Sequence, residues 1–304
     1  MIKKAEVGQT NTIKKMWNQC FPQEEESYID YYFDEVYKPD NTIILIDNGI
    51  VQSSLQRIPH EMMFNNRVIR TSMIVGVTTL PQYQKQGNMK KLMSVVMDEI
   101  EHQELITLVQ AYNPSLYESY GFKMIYNHKE ATFTRNLIEK ISNDGCSYDI
   151  RSEDMLQLYA TFVKRFNGYY IRDVENFNQL KKEISAQRGK ILGYYNEKGQ
   201  LQAYATCLFT NKEVVMEEII YLNSLALTKL INLGLQIRSV VKVHTSEVED
   251  LRIIYPGVEV IDYGFTMARV NDYDLFNRLY QVQSKTIEEA FTSSGKPLYM
   301  NEFY

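Results

Sequence analysis

The same order of secondary-structure signals occurs twice along the chain, about one domain length apart. In each half, two apolar strand-like runs flank a turn that contains glycine, at 47–49 and again at 196–199. Such turns accept the positive φ of a tight hairpin. Each hairpin is followed by a strand, a helix-like segment and another strand: Val68–Thr79, Asn88–Glu101 and Leu105–Ala111 first, then Val214–Tyr221, Ser224–Leu235 and Ser239–His244. This order predicts a duplicated α+β unit. Two unrelated α/β domains that happen to share a hairpin are the alternative.

Turn-forming residues suggest where the units begin and end. The run Ser142-Asn143-Asp144-Gly145 is typical of a linker. We predict a first domain at residues 1–144, a second at 145–266 and a C-terminal appendage at 267–304. The appendage contains a helix-like stretch at Tyr273–Tyr280 but too little chain for a core of its own.

Charge and cysteine usage narrow the class of protein. Lys and Arg total 33 against 38 Asp and Glu, a net charge of -5, which argues against binding to nucleic acid. The three cysteines are too scattered for a disulfide framework, and the four histidines lack metal-ligand spacing. No apolar run reaches the ~18 residues of a membrane span. We expect a soluble cytoplasmic protein without a metal site, and without a nucleic-acid or membrane partner.

One segment carries a chemical signal. A β-branched strand ends before Pro81, a polar turn follows at 84–87, and an apolar face then recurs along a helix at Met89, Leu92, Met93, Val96 and Ile100. A glycine-containing turn at the start of a helix presents free backbone N–H groups and the positive end of the helix dipole. Such a turn can bind a diphosphate. Most strand-to-helix turns with one glycine, however, bind nothing.

A second segment supports the functional interpretation. After the next strand, the chain reads Asn113-Pro114-Ser115-Leu116-Tyr117 and continues to Gly121-Phe122. Together with Gln84-Lys85-Gln86-Gly87-Asn88-Met89, the order and spacing resemble the two cofactor motifs of the GNAT N-acetyltransferases. The first motif departs from that pattern at Asn88, where an aliphatic residue is usual, and at Met89, where a small one is usual.

The rest of the chain resembles the Eis (enhanced intracellular survival) family of acetyltransferases. The segment 214–220 followed by 226–230 resembles the central domain of that family. The segment 263–272 resembles its junction with a third, sterol-carrier-like domain. That third domain is largely missing here. The resemblance implies tandem GNAT folds, with mixed, mostly antiparallel sheets flanked by helices and a short C-terminal appendage.

The resemblance implies transfer of acetyl from acetyl-CoA to a primary amine by direct attack. Tyr117 would be the general acid, and the terminal carboxylate of Tyr304 the general base. A frayed terminus without a role is the alternative for Tyr304, with Glu302 or a water relay as the base instead. The implied cofactor-binding residues are Val77, Thr78, Thr79, Lys85, Gln86, Gly87, Asn88, Met89, Lys90, Tyr112 and Asn113.

The sequence leaves the acceptor and two other function classes open. The resemblance suggests an aminoglycoside-like polyamine or a lysine-bearing peptide as the acceptor, and it allows a homo-oligomer. One competing class is a paired-GNAT aminoacyltransferase of the peptidoglycan-bridge type. The other is a non-catalytic CoA-binding regulatory module, which the residues at 88 and 89 would permit. Because 221–225 enters its helix without glycine, the second domain is expected to be a scaffold.

Overall fold

A computed structural model describes residues 1–302, which divide into two compact units. The first unit comprises Met1–Ile125, Phe265–Gly295 and Glu302, and the second comprises Tyr126–Gly264 and Lys296–Asn301. These limits differ from the predicted ones at 144 and 266. The turn at 142–145 lies inside the second unit, where the Lys229 ammonium donates a hydrogen bond to the Ser142 carbonyl.

Strands and helices follow the predicted order in both halves of the chain. The first half contains β1 Ile2–Lys4, α1 Thr10–Cys20, α2 Glu26–Tyr31, β2 Thr42–Asp47, β3 Ile50–Phe64, β4 Arg67–Thr79, α3 Asn88–Glu101, β5 Ile106–Val109, α4 Ser115–Glu118 and β6 Lys123–Thr134. The second half contains β7 Cys146–Ser147, α5 Ser152–Phe162, β8 Tyr169–Tyr170, α6 Val174–Ala186, β9 Lys190–Tyr195, β10 Leu201–Phe209, β11 Glu213–Tyr221, α7 Ser224–Ile237, β12 Val240–Ser246, β13 Glu259–Val270, α8 Tyr273–Tyr280 and α9 Ile287–Thr292.

The sheet of the first unit has the order β1-β2-β3-β4-β5-β13. Its strands are antiparallel except for β4 and β5, which run parallel from Thr71–Ile106 to Ile74–Val109. The last strand comes from the far end of the sequence, with Met267 opposite Val109 and Val270 opposite Ile106.

The sheet of the second unit repeats this arrangement with the order β7-β9-β10-β11-β12-β6. Here the parallel pair is β11 and β12, from Glu213–Val240 to Met216–Val243. Its helix α7 is buried along most of its length, whereas α3 of the first unit buries one apolar face.

Most of the segment predicted as a C-terminal appendage packs against the apolar core of the first unit. Phe276 of α8 and Phe291 of α9 both pack on Phe64 of β3, with ring centroids 5.9 Å and 5.0 Å apart. Residues 265–295 therefore belong to the core of the first unit. None of the helices in the described chain is long and apolar enough to cross a membrane.

Candidate active site

The strand β4 carries a bulge directly after its parallel pairing with β5 ends. Gln56 of β3 pairs with Val75, but Ser54 pairs with Thr78, so β4 holds one extra residue between these points. Gly76 adopts a φ of +57°, and a Cβ there would lie 2.1 Å from Trp17 Cζ2. The glycine is thus required both by the backbone and by the indole of α1. A bulge of this kind turns backbone N–H groups away from the sheet.

The turn after β4 leaves a row of backbone donors free. Lys85 and Gly87 both have positive φ, and Gly87 is the N-cap of α3 in the left-handed region. Within the described residues, the backbone N–H groups from Lys85 to Lys90 have no hydrogen-bond acceptor. The intrahelical pattern begins only at Lys91 N–H, which donates to the Gly87 carbonyl at 3.0 Å. Six adjacent donors at a helix N-terminus suit an anion.

Asn88 and Met89, the two residues that depart from the motif, anchor this turn to the rest of the first unit. Asn88 is 5% exposed, and its side-chain amide donates to Gln52 Oε1 at 3.0 Å and to the Tyr83 carbonyl at 3.4 Å. Met89 packs against the apolar core beneath α3. An aliphatic residue at 88 would lack those hydrogen bonds, so Asn88 acts as a brace between β3 and the turn.

The remaining predicted residues of the turn, Lys85, Gln86 and Lys90, are exposed to solvent. The Gln86 side-chain amide donates to the Gln82 carbonyl at 3.1 Å, which closes the turn on itself. Two lysines beside a row of free backbone donors add positive charge where an anion would sit.

Threonines next to the bulge are fixed by hydroxyl contacts to β3. Thr78 Oγ1 lies 2.7 Å from Ser54 Oγ, and Ser53 Oγ donates to the Thr78 carbonyl at 2.6 Å. The Thr79 carbonyl accepts from Gln84 Nε2 at 3.1 Å, which ties the end of the strand to the turn. Val77 is half-buried on the side of the apolar core. The strand end is therefore rigid, as a backbone binding surface requires.

The carboxyl end of β5 brings the second motif to the same edge of the sheet. Because β4 and β5 are parallel neighbours, the segments that follow them lie close together. Tyr112 is 75% exposed and its hydroxyl donates to Glu24 at 2.6 Å. Asn113 accepts a hydrogen bond from Ser115 Oγ at 2.7 Å, so its side chain braces the start of α4.

Tyr117 stands on α4 and is nearly buried. Its ring packs in the core beside Phe122, with centroids 6.3 Å apart. Burial, with a smaller effect of Tyr120, raises the pKa of Tyr117 to about 12. No hydrogen bond to its hydroxyl is formed within residues 1–302. Tyr117 is therefore protonated at neutral pH, with its hydroxyl proton available to a bound molecule.

Glu302, the last of the described residues, contacts the first unit next to the carboxyl end of β5. Gln110, which follows the last residue of β5, donates a side-chain hydrogen bond to the Glu302 carbonyl. Tyr304, the predicted base, lies outside the described residues. Among the residues that are described, no group of three or more His, Cys, Asp or Glu side chains is arranged to hold a metal ion.

Sequence reasoning missed the bulge and its supports. Gly76 and Trp17 meet only in the folded chain. A glycine and a bulky aromatic residue are nevertheless the kinds of residue that pair where a helix packs on a strand. An aromatic cluster surrounds them: Trp17 stacks on Tyr32 at 4.6 Å, and Tyr32 donates to Gln56 Oε1 at 2.9 Å. The sequence signal that could have indicated this cluster was the presence of two helices, α1 and α2, before the first hairpin.

The first unit is similar in sequence to a known family of domains. The family model described as the acetyltransferase (GNAT) domain matches residues 1–125. No curated protein matches the chain at a significant level of sequence similarity. Solved structures do match, but their sequence identity is so low that they show only a similarity of fold.

Three of these structures illustrate the similarity. A protein from Enterococcus faecalis, described as a probable N-acyltransferase, has a TM-score of 0.76 and 16% identity, covering 89% of this chain and 72% of its own. A GCN5-related N-acetyltransferase from Anabaena variabilis has a TM-score of 0.72 and 15% identity, with 90% and 73% covered. Eis1 from Mycobacterium abscessus has a TM-score of 0.69 and 10% identity, with 91% and 75% covered.

These findings establish the fold and the kind of domain. The predicted α+β class, with mixed sheets flanked by helices, is confirmed by the strand arrangement and by the structural similarity, and a GNAT fold of the second unit stays a prediction. The prediction of an acetyltransferase domain is also confirmed, since residues 1–125 match its family model. The closer resemblance to the Eis family has only the 10% identity to Eis1 behind it.

Proposed function

We propose that the chain is an N-acetyltransferase that moves acetyl from acetyl-CoA to a primary amine, with the first unit as the catalytic one. The carrying observation is the row of six unpartnered backbone N–H groups at 85–90, placed within an acetyltransferase domain. A coenzyme A diphosphate would accept these hydrogen bonds, and the positive end of α3 would favour its charge. Acetyl-CoA, when bound, supplies the acetyl group as a thioester.

The bulge of β4 supplies the electrophilic assistance in this proposal. Between Val75 and Thr78, the pairing of β4 with β3 shifts by one residue, directly after the end of the parallel pairing with β5, and the pantetheine arm would lie beside the backbone there. An N–H aimed at the thioester oxygen stabilises the negative charge that develops when an amine attacks. Val77, Thr78 and Thr79 would bind the arm through their backbones, and Tyr112 and Asn113 would flank it.

Tyr117 would assist departure of the thiolate. Its pKa of about 12 keeps the hydroxyl protonated over the whole physiological range. A thiol has an ordinary pKa of ~8.5, so the phenol acts chiefly by donating a hydrogen bond to sulfur as charge develops there. The amine must be neutral to attack, and the proposed base is the Tyr304 carboxylate, with Glu302 or a water as the alternative.

The segment that precedes β2 favours an amine as the acceptor substrate. The carboxylate of Glu24 lies on this segment, is partly exposed, and is held by the Tyr112 hydroxyl. A carboxylate attracts ammonium groups. We propose a polyamine or a lysine-bearing peptide as the acceptor on this ground.

Replacement of Tyr117 tests the chemical step. Tyr117→Phe keeps the ring in the core and removes the donor, so kcat should fall about 100-fold, a typical contribution of general acid catalysis. The affinity for acetyl-CoA should change little. Steady-state thiol release with a panel of amines and titration calorimetry with acetyl-CoA measure the two quantities.

Tyr120→Phe is the matched control, because Tyr120 lies three residues on and is half-exposed. It should retain the wild-type kcat. Equal losses in both variants, or a parallel loss of coenzyme affinity in Tyr117→Phe, would contradict the assigned role. Absence of acetyl-CoA binding would favour the aminoacyltransferase, and binding without turnover on any amine would favour the regulatory module.

A further inference from the structure

Two buried N–H groups beside the bulge of β4 have no hydrogen-bond acceptor within the described part of the chain. They are Nε1 of Trp17, on α1, and Nε2 of Gln56, on β3. Trp17 is 3% exposed and Gln56 is 1% exposed, so neither donor reaches the solvent outside the protein. A buried polar group without a partner destabilises a fold, and native structures contain few of them. Two such donors at one bulge therefore indicate that something accepts hydrogen bonds from them.

Both donors lie at Gly76, the glycine of the bulge. Cε2 of Trp17, the carbon bonded to Nε1, would lie 2.7 Å from a Cβ at Gly76. Gln56 pairs with Val75, the residue before that glycine. Trp17 also stacks on Tyr32, with ring centroids 4.6 Å apart, and the Tyr32 hydroxyl contacts Gln56. The two side chains thus lie on the same side of β4, directly after its parallel pairing with β5 ends.

These side chains offer a ligand donors and no acceptor. The Tyr32 hydroxyl donates to Gln56 Oε1 at 2.9 Å, so Oε1 faces Tyr32 and the Nε2 donor remains. An indole has a donor only. An ammonium group also only donates, so it would be repelled here. The rings of Phe21, Tyr32 and Phe33 surround Trp17, and such apolar surroundings strengthen a hydrogen bond to an oxygen atom.

We propose that Trp17 Nε1 and Gln56 Nε2 bind one uncharged oxygen atom beside the bulge of β4. Two sources offer this chemistry. One is an internal water molecule, which buried polar groups commonly hold. The other is the carbonyl oxygen of the acetyl thioester, which would lie along the same part of β4; this source alone rests on the proposed function. Bound to that oxygen, the two side chains would stabilise the negative charge that develops on it during transfer.

Trp17 makes a direct test possible, because it is the only tryptophan in the sequence and its indole N–H gives a single resonance. Isotope-labelled full-length protein is compared by NMR in three states. These are the free protein, the complex with CoA, and the complex with a ketone analogue of acetyl-CoA in which a methylene replaces the sulfur. The analogue keeps the carbonyl but cannot transfer acetyl.

Each source of the oxygen predicts its own result. A bound water should transfer magnetisation to the indole proton in the free protein. A bound carbonyl should shift the indole proton resonance in the complex with the ketone analogue but not in the complex with CoA. Either result supports the site. An indole proton that shows neither effect would overturn the inference.

Tyr32→Phe is the control for the water measurement, because exchange of the Tyr32 hydroxyl proton with solvent would imitate a bound water. Magnetisation transfer that persists in this variant comes from water at the site. Transfer that disappears with the hydroxyl counts against a bound water.

Replacement of Gln56 tests whether the site takes part in acetyl transfer. Gln56→Met keeps the length of the side chain and removes its N–H donor. If the carbonyl is the ligand, kcat should fall about 100-fold, as for loss of one oxyanion donor, with little change in the KM of acetyl-CoA. Tyr32→Phe breaks the same Tyr32–Gln56 hydrogen bond but leaves both donors, so it should keep most of its kcat. Equal losses in the two variants, or none, would exclude the carbonyl as the ligand.

The inference and the proposed function fail in different ways. If titration calorimetry finds no binding of acetyl-CoA, the proposed function is refuted, whereas magnetisation transfer from water to Trp17 in the free protein would still establish the site. Conversely, an active acetyltransferase whose indole proton responds neither to water nor to the ketone analogue would refute the inference and leave the proposed function in place. The NMR measurements use the wild-type protein, so they do not depend on whether Gln56→Met folds.

Discussion

The two units share a bulged strand beside a short parallel pair, but they differ in how the next helix begins. In the first unit, eight residues separate β4 from α3, and the backbone donors at 85–90 are free. In the second unit, only Leu222 and Asn223 separate β11 from α7. Asn223 caps that helix, since its side chain accepts from Ala226 N–H at 2.9 Å.

The bulges of the two units also differ, in the residues that occupy them. Gly76 in the first unit has a positive φ and no side chain, and the Trp17 ring occupies the space that a Cβ would take. Glu217, the extra residue on β11, and Glu218 stand at the corresponding place in the second unit and engage His244 and Arg172. The comparison teaches that the same strand arrangement accommodates different helix starts, because a shorter turn, a capping side chain and charged residues at the bulge are all local changes.

The largest effect is expected when a side chain is placed at the bulge of the first unit. In Gly76→Ala, the new Cβ would meet the Trp17 ring, and the φ of +57° would be strained. We expect a loss of about 100-fold in kcat, since a shift of about 1 Å in a positioned group has that effect. Acetyl-transfer kinetics and thermal unfolding measure the outcome.

Gly193→Ala is the control for overpacking. Its Cβ would lie 2.6 Å from Ile150 Cδ1 in the second unit, on a strand with ordinary backbone angles. It should lower the unfolding temperature but leave kcat of the folded enzyme unchanged. If Gly76→Ala loses stability while keeping its kcat, the bulge has no part in the chemistry.

A smaller effect is expected at the turn before α3. Gly87 has a φ of +78°, and a Cβ added there would meet no atom within 4 Å, so alanine at this position brings backbone strain alone. That strain is about 1–2 kcal/mol. Because the strained turn would reorient its free N–H groups, the affinity for acetyl-CoA should fall about tenfold.

Gly199→Ala carries the same strain in the second unit. Its φ is +70° and its surroundings are equally open, but it lies in the hairpin between β9 and β10. It should lose similar stability and retain full coenzyme affinity. Titration calorimetry should also give one acetyl-CoA per wild-type chain. Two sites, or equal affinity losses in both variants, would count against the contrast between the units.

The smallest effect concerns the ion cluster of the second unit. Burial alone would lower the pKa of His244, but Glu217 and Glu130, both 3.1 Å from its ring nitrogens, raise it above the ordinary value. The raised pKa adds stability that is complete below the unfolded-state pKa of ~6.5 and is lost as pH rises through the folded-state pKa. The loss should be on the order of 1 kcal/mol.

Urea unfolding at pH 6 and pH 9 measures this change, with His244→Gln as the comparison. The neighbouring His128 has a pKa lowered to about 4 by burial, so it stays neutral over this range. The variant should be less stable at pH 6 and show a smaller change between the two pH values. An unchanged pH dependence would assign the effect to other groups.

Local signals were sufficient for the elements that build the site. The helix Asn88–Glu101 is observed with its predicted bounds, and the strand predicted at Val68–Thr79 extends by one residue to Arg67. The helix at Tyr273–Tyr280 is likewise confirmed. These elements follow from apolar periodicity and turn chemistry within a few residues, which a sequence displays directly.

Contacts between distant residues could not be predicted in this way. The pairing of Met267 with Val109 joins segments about 160 residues apart, and no periodicity encodes it. The same holds for the Arg172–Glu218 pair and for the brace from Asn88 to Gln52. The roles of Tyr117, Tyr304 and the cofactor-binding residues remain predictions.

The placement of β13 has a consequence for synthesis of the protein. The sheet of the first unit is completed only when Met267–Val270 pairs with β5, so a nascent chain that has emerged from the ribosome through residue 125 still exposes a bare strand edge. Unpaired edges recruit other strands and promote aggregation. Translation of the intervening residues thus sets a waiting time before the acetyltransferase domain can close, and a gene fragment encoding residues 1–125 alone would yield an incomplete sheet.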